Sequence, residues 1–278
     1  MDFRSIVSRV DTLPPLSDTT KIVQDLYENG AENVNIDKLV MAIESDASLT
    51  VNILKMINTP FYGFSRDIVS IRQAVTLFGT QVLYGIVVNF SIRFAVKANL
   101  RPYGITTEEF NDICQLQSTL MDRWYSTINK QHAQYLSSLA LIMESGKLIV
   151  SQEVVNSGKI KEFLKGFRDS EDLAVYENEQ FGTTSYFVSG LLFEHWRLDP
   201  MYVSLLKGLD YEEDSMHKIL HFIDTLDVIR TAINVKEVLT QESIQEAAKI
   251  VKYLNLDVDS FIKIAQDLKI SYYKGSMR

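Results

Sequence analysis

The residues best suited to metal chemistry are two histidines and an aspartate in the last third of the chain. His217, His221 and Asp224 are spaced i, i+4 and i+7, which places them on one face of a predicted helix. Positions i and i+7 lie about 10 Å apart along a straight helix axis, so one helix rarely presents three ligands to one ion. We interpret them as polar side chains on a half-exposed face. The alternative is a metal site completed from another helix, with Glu144 as first candidate.

A second group of reactive residue types lies in the segment Leu-Ile-Met-Glu-Ser-Gly-Lys-Leu-Ile-Val, residues 141–150. Its apolar flanks predict a buried helix that runs into a turn, and the turn carries Glu144, Ser145 and Lys147. We expect Glu144 and Lys147 to form an ion pair at the helix end or to contact the turn. The sequence contains no nucleophile elbow and no glycine-rich phosphate loop, so these residues match no common catalytic motif.

The composition restricts the class of protein. The chain has 278 residues, of which 46% are hydrophobic and 23% charged, as in an ordinary globular protein. Its net charge of −8 argues against a nucleic-acid backbone as the main partner. The longest apolar window, Val82 to Phe90, is far shorter than the roughly 20 residues of a membrane span, and the amino end lacks a secretory pattern. A lone cysteine, Cys114, cannot form an internal disulfide. We therefore predict a cytoplasmic protein with no membrane segment.

The apolar residues recur at intervals of three and four, and Gly and Pro are scarce, so the sequence predicts an all-α fold. Several helices carry their own start signals: Asn35 and Asp46 as N-caps, and Ser70 and Thr106 as the first residues of capping boxes. Further helices are predicted over 80–98, 184–196, 200–208, 216–233, 242–254 and 258–269. Turn residues near position 100 predict a boundary between two helical lobes, 1–100 and 101–234, and the last helices, over 235–278, are interpreted as a packing extension.

Several motifs together resemble one known family. They are Leu13-Pro14-Pro15-Leu16, Ile43-Glu44-Ser45-Asp46-Ala47-Ser48-Leu49-Thr50, Ile53-Leu54-Lys55-Met56-Ile57-Asn58-Thr59-Pro60-Phe61-Tyr62-Gly63, Ile68-Val69-Ser70-Ile71-Arg72-Gln73-Ala74-Val75 and Leu77-Phe78-Gly79. The set is similar to the HDOD family, whose all-helical signalling module is related to HD phosphohydrolases. The resemblance spans roughly residues 10 to 230. It departs from the family pattern at Ala47, where proline is usual, and at Thr59, where serine is usual.

The resemblance implies a multi-helix fold in which an N-terminal helical lobe packs on a degenerate HD-type lobe. It also implies where the metal ligands of an HD hydrolase would fall. The His-Asp pair corresponds to Met143 and Glu144, an earlier histidine to Tyr125, and a further histidine of some relatives to Ser185. Only Asp224 matches its expected ligand. A thioether and a phenol are poor ligands for hard divalent ions, so we expect no catalytic metal and no cofactor.

The resulting expectation is a non-catalytic bacterial regulatory protein that binds a protein partner through its HDOD domain. Arg66, Asp67 and Arg72 flank the aromatic segment after Asn58 and are the candidate docking residues. Two alternatives stay open. One is a nucleotide or cyclic-dinucleotide sensor that uses Arg123 and Lys147, and the other is a divergent phosphodiesterase with new metal ligands.

Overall fold

The computed structural model describes residues 2–59, 62, 64, 66–210 and 219–276, with side chains as far as residue 274. The chain is all-α, as predicted, and the described residues form no strand. One isolated antiparallel bridge joins Ile233 and Val238. None of the described helices is long and apolar enough to cross a lipid bilayer.

The described residues form a series of helices. In chain order they are α1 (Phe3–Asp11), α2 (Asp18–Tyr27), α3 (Ile36–Glu44), α4 (Ala47–Ile57), α5 (Ile71–Phe78), α6 (Thr80–Ala95), α7 (Thr107–Tyr125), α8 (Lys130–Ile142), α9 (Gly146–Asn156), α10 (Ile160–Asp169), α11 (Leu173–Phe181), α12 (Ser185–His195), α13 (Pro200–Gly208), α14 (Leu220–Ala232), α15 (Gln241–Tyr253) and α16 (Val258–Ser276). Single 3-10 turns include Arg101–Tyr103 and Met143–Ser145.

The predicted start signals are confirmed. Asn35, Asp46 and Ser70 each accept a hydrogen bond from a backbone N–H of the first turn that follows. Thr106 and Glu109 bond reciprocally at 2.7 and 3.1 Å, which is the capping-box geometry. Helix α6 ends at Ala95, before the predicted residue 98, and residues 216–218 of another predicted helix lie outside the described residues.

The chain divides into two compact units, each assembled from separate stretches of sequence. Unit one comprises residues 1–15, 95–114 and 143–256, and unit two comprises residues 16–94, 115–142 and 257–278. The ranges predicted from the sequence, 1–100, 101–234 and 235–278, stay a prediction.

In unit two, α6 is buried on nearly all sides from Gln81 to Ile92. Its Ser91 hydroxyl bonds to Thr20 of α2, and the Tyr27 hydroxyl donates to the Thr80 carbonyl at 2.5 Å. These two hydrogen bonds join α6 to α2 and fix the register of the two helices.

In unit one, α12 packs closely on both α9 and α13. Glycines lie at both contacts, Gly146 of α9 against α12 and Gly190 of α12 against α13. A Cβ atom added to Gly146 would lie 1.9 Å from the Ser185 carbonyl oxygen, and one added to Gly190 would lie 2.7 Å from Lys207 Cγ. No side chain fits at Gly146, so the start of α9 touches the backbone of α12 directly. This approach brings the turn before α9 against α12.

Candidate functional site

The turn Met143–Ser145, where the sequence predicted a dismantled metal site, lies fully inside unit one. Two bonds anchor its backbone to α12. The Gly146 N–H donates to Ser189 Oγ at 2.7 Å, and that hydroxyl donates to the Met143 carbonyl at 2.7 Å. These two hydrogen bonds hold the backbone on both sides of Glu144 and so fix the position of this residue.

Glu144 and Lys147 form the predicted ion pair, and both side chains are 0% exposed. The Lys147 ammonium lies 2.5 Å from Glu144 Oε2 and donates to Ser185 Oγ at 3.0 Å. The Tyr186 hydroxyl donates to Glu144 Oε1 at 2.8 Å, and the centre of its ring lies 4.3 Å from the ammonium. Both oxygens of the carboxylate therefore face a cation or a donor, as a buried charge requires.

A second buried acid, Glu177 of α11, completes this arrangement, and the sequence patterns did not identify it. Glu177 accepts hydrogen bonds from the Tyr103 hydroxyl and from the Ser185 N–H, each at 2.6 Å. Burial raises the pKa of the Glu177 carboxyl, although the Lys147 charge and these two donors oppose the shift. We call Tyr103, Glu144, Lys147, Glu177 and Ser185 the buried cluster.

The residues at the HD ligand positions do not fit a divalent metal ion. Met143 offers only a buried thioether, the Glu144 carboxylate is neutralised by Lys147, and the Ser185 hydroxyl accepts from the same ammonium. Tyr125 is buried in unit two. Within the described parts of the chain, no three His, Cys, Asp or Glu side chains are placed to hold a metal ion.

Of the alternative ligand set, His217 lies outside the described residues, His221 is exposed and Asp224 lines a cavity. The cavity lies in unit one and has a volume of about 1610 Å³. Tyr186 forms part of its wall, whereas the described lining does not include Glu144 or Lys147. Tyr186 therefore contacts both the cavity and the buried cluster.

A second set of charged side chains forms part of the cavity wall beside Tyr186. Arg230 donates to the carboxylates of Asp210 and Asp227 and to the Leu209 carbonyl, the last at 3.0 Å. Its guanidinium carbon lies 5.0 Å from the centre of the Tyr186 ring. Burial alone lowers the pKa of Arg230, but the two carboxylates reverse the effect and raise it above its ordinary value. We call Arg230, Asp210 and Asp227 the wall cluster.

One further acid, Asp224, stands on α14 one turn before Asp227. Partial burial raises the pKa of its carboxyl, the Asp227 charge adds to the shift, and His221 opposes it. The shift therefore reflects mainly the loss of hydration around this carboxyl, with a smaller contribution from the neighbouring acid.

The predicted docking and sensing residues occupy different environments. In unit two, Arg66 and Asp67 are exposed, and Arg72 pairs with Asp37 at 2.6 Å. Arg123 is partly buried, and this burial lowers its pKa, opposed by Asp122 and Asp267. In unit one, Lys147 is fully buried within the buried cluster. A binding role for these residues stays a prediction.

Comparison with known proteins gives one family and several related structures. The family model described as the HDOD domain matches residues 13–208. The crystal structure of a virulence factor from Campylobacter jejuni is similar at 25% identity, with a TM-score of 0.56, and covers 93% of this chain and 94% of that one. None of the proteins whose functions have been curated matches this chain.

Two more structures share the fold at lower identity. A protein of Shewanella amazonensis that carries the provisional name phosphohydrolase is 17% identical, with a TM-score of 0.71 and coverage of 98% and 95%. An HDOD domain protein of unknown function from Geobacter sulfurreducens is also 17% identical, with a TM-score of 0.67 and coverage of 98% and 94%. At this identity the likeness is one of fold.

Proposed function

Because the chain belongs to the HDOD family, we propose that it is a regulatory protein of bacterial signal transduction, without hydrolase activity, that works by binding a protein partner. The observation that carries the proposal is the contact between Lys147 and Glu144 at 2.5 Å in a fully buried environment. In an HD hydrolase the corresponding carboxylate would serve a metal ion.

The chemistry of this contact opposes metal-assisted hydrolysis. A catalytic ion needs at least three protein ligands and an open position for water. Here the Glu144 carboxylate receives the Lys147 charge and the Tyr186 hydroxyl, and displacing the ammonium would leave a buried cation without its counter-ion. These contacts therefore support a structural role for Glu144 and Lys147 in the protein interior.

The partner surface that we propose lies in unit two, around Arg66, Asp67 and Arg72. Close to them in the sequence, the rings of Tyr62 and Phe64 each contact Phe78, and Phe64 remains 41% exposed. Exposed aromatic rings beside charged side chains are typical of protein interfaces. Residues 60, 61 and 63 of the same segment lie outside the described residues.

The hydrolase question is tested by metal analysis and by activity on a chromogenic phosphodiester with added Mn²⁺. We expect only trace metal in the purified protein and no hydrolysis above the buffer rate. A stoichiometric metal that is lost in His221→Ala, together with hydrolysis that is lost in the same variant, would refute the proposal and support the phosphodiesterase.

The interface is tested by quantitative crosslinking in cells. We expect the double variant Arg66→Glu/Arg72→Glu to lose a crosslinked partner that Lys161→Glu retains, because Lys161 is an exposed lysine of unit one. Equal crosslinking by both variants would exclude this surface as the docking site.

The alternative of a nucleotide sensor has weaker support. A nucleotide brings several negative charges, and the wall of the unit-one cavity carries more acids than bases among its described residues.

A further inference from the structure

We propose that the cavity of unit one binds an organic cation, a ligand with a primary ammonium or guanidinium group, through the carboxylates of Asp210 and Asp224. The inference does not depend on the proposed function, because the cavity can bind a cation whether or not unit two binds a partner.

The first argument is the charge of the cavity wall. Among its described lining residues, seven carry carboxyl groups: Glu171, Asp172, Asp210, Asp224, Asp227, Glu237 and Glu246. Three are cationic: Arg168, Arg230 and Lys236. Arg230 is engaged by Asp210 and Asp227, and Lys236 donates to the backbone and side chain of Ser170. The remaining field is negative, so it attracts cations and repels phosphates.

The second argument is an acceptor without a donor. Asp210 Oδ1 accepts from Arg230, but Asp210 Oδ2 has no hydrogen-bond partner within the described structure. The Asp210 side chain is only 5% exposed, and it lines the cavity. A buried carboxylate oxygen without a donor is unfavourable, and native proteins leave few such groups. An N–H group of a ligand in the cavity would supply the missing hydrogen bond.

The third argument concerns the kind of cation. The carboxylates are spread over separate elements, with Asp210 just after α13 and Asp224 on α14, and the described chain holds no compact set of three metal donors. The wall also contributes apolar groups, including Phe167, Leu173 and Ile223. A cavity of about 1610 Å³ with scattered acids and apolar groups suits an aliphatic chain that ends in ammonium groups better than a single ion.

Two sources could supply this chemistry, a free polyamine or a basic side chain of another protein. Isothermal titration of the full chain with spermidine, and separately with N-acetyl-lysine methylamide, distinguishes them. We expect saturable binding of one ligand per chain, and the tighter of the two probes identifies the source. GTP, as the anionic comparison, should not bind.

Variants locate the site. Asp224→Asn should weaken binding of the cation by about tenfold, since a hydrogen bond to a charged group is lost. Asp11→Asn removes an equal charge from an exposed position outside the cavity lining and should leave affinity unchanged. Glu246→Gln, at another lining position, provides a second test if Asp224→Asn proves unstable in thermal unfolding.

Three results would each overturn the proposal. The first is that neither spermidine nor N-acetyl-lysine methylamide shows saturable binding at millimolar concentration. The second is equal weakening by the cavity variants and by Asp11→Asn, which would mean that only the net charge of the protein attracts the ligand. The third is binding of GTP in competition with spermidine.

Discussion

The buried cluster and the wall cluster both contact Tyr186, yet they differ in whether every carboxylate oxygen has a cation or a donor beside it. In the buried cluster, Lys147 lies against Glu144 with no exposed surface, and each described bond of the glutamates ends on a donor inside the protein. In the wall cluster, Arg230 serves two aspartates, and one oxygen of Asp210 has no donor within the described structure.

This difference shows that one side chain can stand between two groups whose charges are balanced differently. Where the charges are matched internally, removing either partner is costly, and the paired groups are not available to a ligand. Where carboxylates outnumber the available cations, an external cation would lower the free energy of the site.

The largest effect is expected from Gly146→Ala, which disrupts the contact between α9 and α12 beside the buried cluster. The new Cβ would lie 1.9 Å from the Ser185 carbonyl oxygen, so α9 and α12 must separate. We expect a loss of about 4 kcal/mol or more in the free energy of unfolding, measured in urea. Gly158→Ala is the control. It has a positive φ of 72° but no atom near its Cβ, so it should cost only about 1 kcal/mol. Similar losses in both variants would mean that backbone strain, and not the close approach, dominates.

The second prediction compares the two cations directly. Lys147→Met leaves Glu144 buried without its counter-ion and should cost about 3–5 kcal/mol of unfolding free energy. Arg230→Met should cost less, about 2–3 kcal/mol, because Asp227 is 36% exposed and can be hydrated, whereas Asp210, 5% exposed, loses its donor at the edge of the cavity. The double variant Glu144→Gln/Lys147→Met should recover part of the first loss. Equal losses of unfolding free energy in the two single variants would show that the two cations do not differ in this way.

The third prediction concerns Tyr186, the residue that the clusters share. Tyr186→Phe removes the hydroxyl that donates to Glu144 at 2.8 Å but keeps the ring beside both cations. We expect a loss of about 1.5–3 kcal/mol, the usual value for a hydrogen bond to a charged group. In a Glu144→Gln background the same substitution should cost less. An unchanged cost would show that the hydroxyl acts through another contact.

The smallest effect is expected in the pH dependence caused by Glu177. Burial raises the pKa of this carboxyl in the folded protein, so the folded state holds the proton after the unfolded chain has released it. Its contribution to stability is therefore present at acid pH and is lost as the pH rises through the folded pKa. Glu177→Gln should remove this decline, which unfolding experiments at a series of pH values can measure. A wild-type curve with the same slope as that of Glu177→Gln would contradict the assignment.

The sequence predicted helices well where their ends carry chemical signals. Asn35, Asp46 and Pro200 mark helix starts that the structure confirms, because a cap acts on neighbouring backbone groups. Helices α10 and α11 were missed. Helix α10 does carry apolar residues at helical spacing, Ile160, Phe163, Leu164 and Phe167, so its sequence held a helix signal. On α11, one of the two buried residues is an acid, and the apolar period is weak.

The candidate site was predicted only in its local part. Glu144 and Lys147 lie within one turn of each other, so their pairing could be inferred from spacing. The partners of Glu177 are Tyr103, which lies 74 positions away, and Ser185. A glutamate one turn before the buried Phe181 was the available signal. The cavity wall draws on many separate segments, and no local pattern reports such a surface.

The charge that neutralises Glu144 is encoded in the chain itself. A metal ion must be captured from the surroundings, so a metal centre makes folding depend on supply, on chelators and on competing ions. The Lys147 ammonium is tethered one turn from its acid, and its local concentration is fixed at synthesis. The neutralisation of Glu144 therefore does not depend on the supply of a metal ion.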